Sequence, residues 1–146
     1  HNIALSTVGI HSAVWKPAYK RFRDSLRRCG VNITAYVATN LHWHAKVFIL
    51  KHQGTPIFGI VGSSNMTRNA FSDTTPFNYE ADVYLWVDTH ALIRSVMERQ
   101  LDEIRDPEEI IRAPYDPKQN ADMTISERLT RLEKEIFTRK FAELPQ

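Results

Sequence analysis

The chain has 146 residues, 42% of them hydrophobic and 25% charged, which suits one globular domain with a core of its own. The single cysteine, Cys29, excludes an internal disulfide framework and fits a reducing, cytoplasmic location. No apolar run approaches the roughly 20 residues that span a bilayer, no signal-peptide pattern appears, and the formal net charge of +2 does not by itself indicate a polyanionic partner.

The first third of the chain predicts a strand, a helix and a second strand. The first strand covers residues 2–8, and the helix runs from Ser12 to Cys29, where Gly30 ends it. The second strand, over residues 31–39, is rich in β-branched side chains. Apolar residues at helical spacing predict the buried stripe of the helix, namely Val14, Ala18, Phe22, Leu26 and Cys29.

The other face of this helix is strongly basic. It carries Lys16, Lys20, Arg21, Arg23, Arg27 and Arg28, against one acidic residue, Asp24. Such a face is either a solvated helix surface or a surface that follows the phosphates of a nucleic acid. Both interpretations stay open at this point, and the second assigns DNA contacts to Lys16, Lys20, Arg23 and Arg27.

The middle of the chain predicts three more strands, over residues 43–50, 56–61 and 78–87. A hairpin turn at Gly54, which can adopt positive φ, joins the first two of them. These strands are almost continuously apolar, which is typical of a sheet covered on both sides. We therefore predict an α/β fold with a mixed parallel and antiparallel sheet sandwiched between helices.

The remainder of the chain predicts two helices separated by a linker. The first helix begins at Asp88 or Thr89 and extends to about Arg105; its predicted apolar side is Leu92, Val96, Leu101 and Ile104. Residues 113–121 form the linker, and Thr124 and Glu127 have the spacing of a capping box. Apolar residues continue at helical spacing as far as Leu144. We therefore expect a domain over residues 1–112, followed over 113–146 by a linker and an amphipathic helix that packs on this domain, a second subunit or a missing domain.

Two short motifs carry the candidate chemistry. His44 and Lys46 lie two apart in a predicted strand, so their side chains share one face, roughly 7 Å apart. Ser63 and Asn65 are also two apart and follow Gly62 at the end of the next strand. If these strands pair, an imidazole, an ammonium, a hydroxyl and a carboxamide converge, which is a suitable site for a phosphate.

Together with Glu80 at the start of the next apolar run, these motifs resemble the active-site signature of the phospholipase D superfamily. The continuation from Gly62 to Asn69 is similar to its small nuclease branch and to related restriction endonucleases. The resemblance implies a phospholipase D-like domain that hydrolyses phosphodiester bonds, with DNA as the expected substrate. One residue departs from the pattern: Lys51 stands where the family usually has a supporting Asp.

The residue types fit such a reaction. Neutral His44 can attack phosphorus and form a phosphohistidine. Lys46, Ser63 and Asn65 can stabilise charge on the phosphate oxygens. Glu80 is placed to orient the His44 ring, and Asp82 is a weaker candidate for the same task.

Arg68, which follows the second motif, is a candidate clamp for a DNA phosphate. None of the assigned roles needs a metal ion or another cofactor, so we expect activity in EDTA.

The superfamily uses two His-Lys motifs, one for attack and one to protonate the leaving group, and this chain has one. A homodimer with its two-fold axis through the site would supply the second His44 and Lys46. The alternative is a longer natural chain with a second motif.

Three other interpretations remain open. His42 and His44, with His11, His52 or His90, form a possible zinc site. The same phosphoryl chemistry would also serve a phospholipase or phosphatidyltransferase. The third interpretation is a non-catalytic module that binds nucleic acid or protein. The presence of Lys51 in place of the family Asp is the observation that suggests it.

Overall fold

The computed structural model describes residues 3–10, 15–38, 45–63, 81–103, 110–138 and 141–145. Its strands are β1 (Ile3–Ile10), β2 (Asn32–Ala38), β3 (Lys46–His52), β4 (Thr55–Gly62), β5 (Asp82–Trp86) and β6 (Ala142–Glu143). They form one sheet in the order β5-β4-β3-β1-β2-β6. Of the described strand pairs, β1 with β2 is parallel and the other four are antiparallel. The predicted α/β class with a mixed sheet is confirmed, with most pairs antiparallel.

Helix α1 (Lys16–Arg28) connects the two parallel strands and runs antiparallel to them. Near its start, the Tyr19 hydroxyl donates to the carbonyl of Tyr36 at 3.3 Å. Near its end, the Arg27 guanidinium donates to the carbonyl of Ile33 at 3.4 Å. The beginning of α1 therefore lies at the carboxyl end of β2, and the end of α1 lies at the amino end of β2.

The predicted end of α1 is confirmed, because Gly30 adopts φ +79° directly after the capping residue Cys29. Positive φ at this position is the common way to close a helix, and glycine adopts it without strain. The prediction that Cys29 belongs to the buried stripe is wrong, since its side chain is exposed.

Helices α1 and α3 (Ile125–Thr138) contact opposite faces of the sheet. On one face, the ring of Phe22 packs edge-on against Phe48, with centroids 6.4 Å apart. On the other, Leu129 and Ile136 of α3 form a buried cluster with Val8, Val47 and Ile49. Because side chains alternate along β3, Val47 and Ile49 face away from Phe48.

The turn between β3 and β4 follows the prediction. Gln53 has φ 52° and Gly54 has φ 80°. Two consecutive residues with positive φ make the tight turn whose twist matches that of paired strands. This turn, together with a register shift between Leu50 and Lys51, sets the pairing of the two strands that carry the candidate motifs.

The start of α3 also follows the prediction. The backbone N–H of Thr124 donates to the Glu127 carboxylate at 2.7 Å, and the Thr124 hydroxyl is 2.8 Å from the same oxygen. The backbone N–H of Glu127 donates back to that hydroxyl at 3.3 Å. The backbone hydrogen bond from Thr124 is the main reason that the pKa of Glu127 lies below its ordinary value. The capping box is confirmed.

The end of α3 differs from the prediction, which extended the helix to Leu144. The helix ends at Thr138, and the chain then forms β6, which pairs with β2. The N–H of Leu144 donates to the carbonyl of Ala35 at 2.7 Å, and Leu144 is buried. β6 covers backbone groups of β2 that an open sheet edge would leave unpaired.

Helix α2 (Ala91–Asp102) lies within the predicted range, but its predicted apolar side is correct only in part, because Leu101 is partly buried and two other members are exposed. Leu92 is 57% exposed and Val96 is 37% exposed, whereas Ile93 is buried. The side that faces the protein is that of Ile93, with Met97 and Leu101 partly buried at intervals of four residues, about one turn each. Ile104 lies outside the described residues. No helix in the described part of the chain is long and apolar enough to cross a membrane.

Candidate functional site

The described part of the candidate site lies where β3 begins, β4 ends and β5 begins. Lys46 pairs directly with Gly62, and Gly62 pairs directly with Asp82. Residues directly opposite each other in antiparallel strands point to the same face. The side chains of Lys46 and Asp82 therefore share one face, with Gly62 between them.

Gly62 leaves room for this arrangement. A Cβ atom at position 62 would overlap the Asp82 carboxylate and lie 2.6 Å from the carbonyl oxygen of Ala81. The carboxylate of Asp82 thus occupies the space that a side chain at position 62 would fill. It leans across β4 in the direction of Lys46.

Ser63 is held by backbone hydrogen bonds to Ala81. Its N–H donates to the Ala81 carbonyl at 3.1 Å, and its hydroxyl oxygen accepts from the Ala81 N–H at 3.1 Å. A serine hydroxyl that accepts a hydrogen bond can also donate one through its own proton. This geometry is compatible with the predicted contact between Ser63 and a phosphate oxygen.

Lys46 is a buried lysine, with only 4% of its surface exposed. A buried ammonium group is stable only if nearby groups compensate its charge. Lys46 lies two residues before Phe48 on the α1 side of the sheet and is not a solvated strand residue. Its role toward a phosphate stays a prediction.

His44, Asn65, Arg68 and Glu80 lie outside the described residues. Their assigned roles as nucleophile, phosphate donor, DNA clamp and orienting carboxylate stay predictions.

One residue of the predicted basic surface of α1, Arg23, was wrongly assigned to it. Arg23 is 3% exposed, and its guanidinium donates to the carbonyls of Leu144 at 3.0 Å and Pro145 at 2.7 Å. It also donates to Asp24 at 2.8 Å, and this hydrogen bond is the main cause that lowers the pKa of Asp24. Arg23 is therefore a structural residue inside the domain. Sequence periodicity placed it outside because β6, which buries it, was not predicted.

The other basic residues of α1 are distributed along the helix. Lys16 and Lys20 lie in its first half and are partly buried, whereas Arg27 is exposed in its last turn. Because α1 runs antiparallel to β1 and β2, its first turn lies at the same end of the sheet as Lys46 and Ser63. Arg27 lies at the opposite end.

Lys51 forms an ion pair that the sequence did not reveal. Its ammonium lies 2.6 Å from the Glu133 carboxylate of α3, and the Ser6 hydroxyl donates to the same oxygen at 2.7 Å. Lys51 lies on the α3 side of the sheet with Val47 and Ile49. No local sequence signal indicates this pair, because its two members are 82 positions apart.

Two of the histidines considered for zinc are described, and they contact each other. His52 Nδ1 and His90 Nε2 are 3.2 Å apart, beside a cavity of about 330 Å³. This cavity lies at the far end of β3, roughly 20 Å from Lys46. Within the described ranges, no three His, Cys, Asp or Glu side chains are placed to hold a metal ion. His11, His42 and His44 lie outside these ranges.

Comparison with known proteins adds a family assignment to this geometry. A search of the curated proteins finds no match. The family model described as "NgoFVII restriction endonuclease N-terminal PLD domain" matches residues 9–84, just over half of the chain. The matched region includes Lys46, Gly62, Ser63 and Asp82 and confirms the resemblance to the restriction-endonuclease branch of the phospholipase D superfamily. The chain therefore belongs to the family of NgoFVII restriction endonuclease N-terminal PLD domains.

Proposed function

We propose that this chain is the catalytic domain of an endonuclease that hydrolyses DNA phosphodiester bonds. The observation that carries the proposal is the direct pairing of Lys46 with Gly62. This register brings Lys46, the second member of the His44-x-Lys46 motif, beside Gly62, the first member of the Gly62-Ser63-x-Asn65 motif. Both residues lie within a region that matches a restriction-endonuclease family.

In the proposed reaction, His44 attacks phosphorus and the bond to the leaving oxygen breaks. Lys46, Ser63 and Asn65 stabilise the negative charge that develops on the phosphate oxygens. The departing oxygen takes a proton from a second imidazole. Water then gives a proton to the second imidazole as it attacks the phosphohistidine, the P–N bond breaks, and both imidazoles return to their starting states. None of these steps uses a metal ion.

The second imidazole is the partner's His44 in a homodimer with one composite site. The chain has a single His-x-Lys motif, and a two-fold axis through the site would supply a second copy. A longer natural chain with its own second motif would meet the same chemical need.

Lys16 and Lys20 are the proposed DNA contacts of α1. They lie in the half of the helix nearest to Lys46, so they can contact phosphates that flank the scissile bond. Arg27, at the other end of α1, is a contact only for DNA that extends along the helix. Such phosphate contacts make binding steeply dependent on salt.

The test is the cleavage of supercoiled plasmid by the purified chain in EDTA. We expect cleavage by the wild type, none by His44→Ala, and roughly 10²- to 10³-fold slower cleavage by Lys46→Ala, because one charge-stabilising group is lost. Lys134→Ala is the matched control, since Lys134 is an exposed lysine of α3. Its rate should equal that of the wild type.

Phosphatidylcholine vesicles in the same buffer separate the alternatives. Turnover of lipid without cleavage of DNA would replace the proposal with a lipid-directed enzyme. DNA binding without turnover of either substrate would indicate a non-catalytic module. Cleavage of DNA that begins only when magnesium is added would contradict the phosphohistidine route.

A further inference from the structure

We propose that the edge of β2 and the adjoining face of α1 form a peptide-binding groove, which the chain's own C-terminal segment, residues 141–145, occupies as a replaceable ligand. The ligand class is an extended peptide that adds a strand to the edge of the sheet and places a leucine against α1. This inference is independent of the proposed function, because none of the groove residues belongs to the proposed catalytic site.

Backbone pairing supplies the first argument. β6 runs antiparallel to β2, with Ala142 opposite Val37. The N–H of Leu144 donates to the carbonyl of Ala35 at 2.7 Å. Pro145 follows and has no N–H, so it ends the ladder. Backbone hydrogen bonds along a sheet edge can be made by any extended chain, and they are the usual source of affinity when a peptide adds a strand.

Side chains on the two faces of β6 supply the second argument. Leu144 is 3% exposed and lies in a cluster with Ala35 and Val37, against which Tyr19 of α1 packs. Successive side chains of a strand point to opposite faces, and Phe141 packs against the buried cluster that α3 forms with the sheet. Separate pockets for alternate side chains are what make a peptide-binding edge specific.

Arg23 supplies the third argument. Its Nη1 donates to the carbonyl of Leu144 at 3.0 Å and to that of Pro145 at 2.7 Å. Its Nε donates to the Asp24 carboxylate at 2.8 Å, which fixes the direction of the guanidinium. A charged donor that contacts two main-chain oxygens binds the backbone of a ligand and makes strong hydrogen bonds.

The segment is small compared with the surface that holds it. β6 has two residues and pairs with β2, whereas β3 pairs with a longer strand on each side. The segment also lies beyond residues 9–84, which match the family model. A strand with few hydrogen bonds opens more easily than a central strand. Its departure exposes the edge of β2, which can then pair with another chain.

The first experiment measures, by fluorescence anisotropy, the binding of a labelled peptide of residues 141–146 to the full chain. Leu144→Asp places a charge in the apolar pocket and should release the chain's own segment. We expect this variant to bind the peptide roughly 10-fold more tightly than the wild type, whose groove is occupied by a tethered competitor. Glu143→Gln is the matched control, because Glu143 is exposed. It should bind the peptide as weakly as the wild type.

Two further changes test where the peptide binds. A peptide with the change Leu144→Asp should not bind to either chain. Adding Arg23→Gln to the Leu144→Asp chain should weaken peptide binding roughly 10-fold, because two carbonyls of the peptide lose a charged donor. Adding Arg21→Gln instead should leave the affinity unchanged, since Arg21 is exposed on the same helix.

Hydrogen exchange of the wild type provides a test that needs no variant. We expect the amide of Leu144 to exchange at least roughly 10-fold faster than that of Ile49 in β3, because the segment opens without unfolding of the domain. Equal protection of the two amides would show that the segment is part of the core and would overturn the proposal. Equal affinity of the wild type and Leu144→Asp for the peptide would also overturn it. If Leu144→Asp does not fold, the exchange measurement decides alone.

Discussion

Arg23 illustrates at the residue scale how packing changes the role of a charged side chain. It belongs to a basic helix face by sequence spacing, yet its guanidinium is buried and donates to two carbonyls near the end of the chain. Without Arg23, the carbonyl of Leu144 would lose a buried hydrogen bond and that of Pro145 a partly buried one.

We expect Arg23→Gln to lower the free energy of unfolding by roughly 1–3 kcal/mol, because these carbonyls lose their donors. DNA affinity and its dependence on salt should not change. Urea denaturation and DNA binding at several salt concentrations measure the two effects.

Arg21→Gln is the control for this prediction, since Arg21 is an exposed residue of the same helix. It should leave stability unchanged. A weaker DNA complex of Arg23→Gln at unchanged stability would restore Arg23 to the DNA-binding surface.

At the element scale, the ion pair between Lys51 and Glu133 joins three elements. Glu133 lies on α3, Lys51 on β3, and Ser6 on β1 donates to the same carboxylate oxygen. Both charged side chains are mostly buried, with exposures of 20% and 13%. The residue that departs from the family pattern is therefore held by a helix that lies beyond the matched region.

We expect Lys51→Met to lower the free energy of unfolding by roughly 1–3 kcal/mol, because Glu133 would keep a partly buried charge with one hydrogen bond fewer. The double variant Lys51→Met with Glu133→Leu should recover part of this loss. Urea denaturation of the single and the double variant measures the loss and its recovery. Equal stability of the wild type and Lys51→Met would mean that the pair contributes nothing measurable.

The matched control for the pair is Arg131→Met, which breaks the exposed pair of Arg131 with Glu135 on the same helix, at 3.5 Å. Exposed ion pairs contribute little to stability. The difference in unfolding free energy between Lys51→Met and Arg131→Met isolates the effect of burial on an ion pair.

At the scale of the whole molecule, the proposed homodimer makes DNA cleavage depend on two chains, because each chain contributes one His-x-Lys motif to the shared site. When wild-type and His44→Ala chains exchange subunits at equal amounts, about a quarter of the dimers retain two intact motifs. We expect about a quarter of the wild-type cleavage rate, measured per total chain after exchange.

A rate of about half would show that each chain acts independently, and it would remove the composite site. The mass of the particle in solution, measured by sedimentation, is the companion measurement. Lys134→Ala mixed with the wild type should retain the full rate, which controls for effects of the exchange procedure.

Several local features could be predicted from the sequence because each depends on a few neighbouring residues. The turn at Gly54, the helix end at Gly30 and the capping box of Thr124 and Glu127 follow from backbone conformation and short-range hydrogen bonds. The motif that identifies the family is equally local, since alternation along a strand decides which side chains share a face. The two-residue spacing of His44 with Lys46 and of Ser63 with Asn65 therefore indicates the candidate site from the sequence alone.

Other features were decided only by the tertiary structure. The exposed side of α2, the burial of Arg23 by the segment around β6, and the pairing of Lys51 with Glu133 depend on surfaces that meet across many residues. Periodicity shows that a helix has an apolar side, but the neighbouring elements decide which side chains lose contact with water. Local chemistry therefore determined the turns, the caps and the motif of this protein, and long-range packing determined which of its charged groups are buried and what they contact.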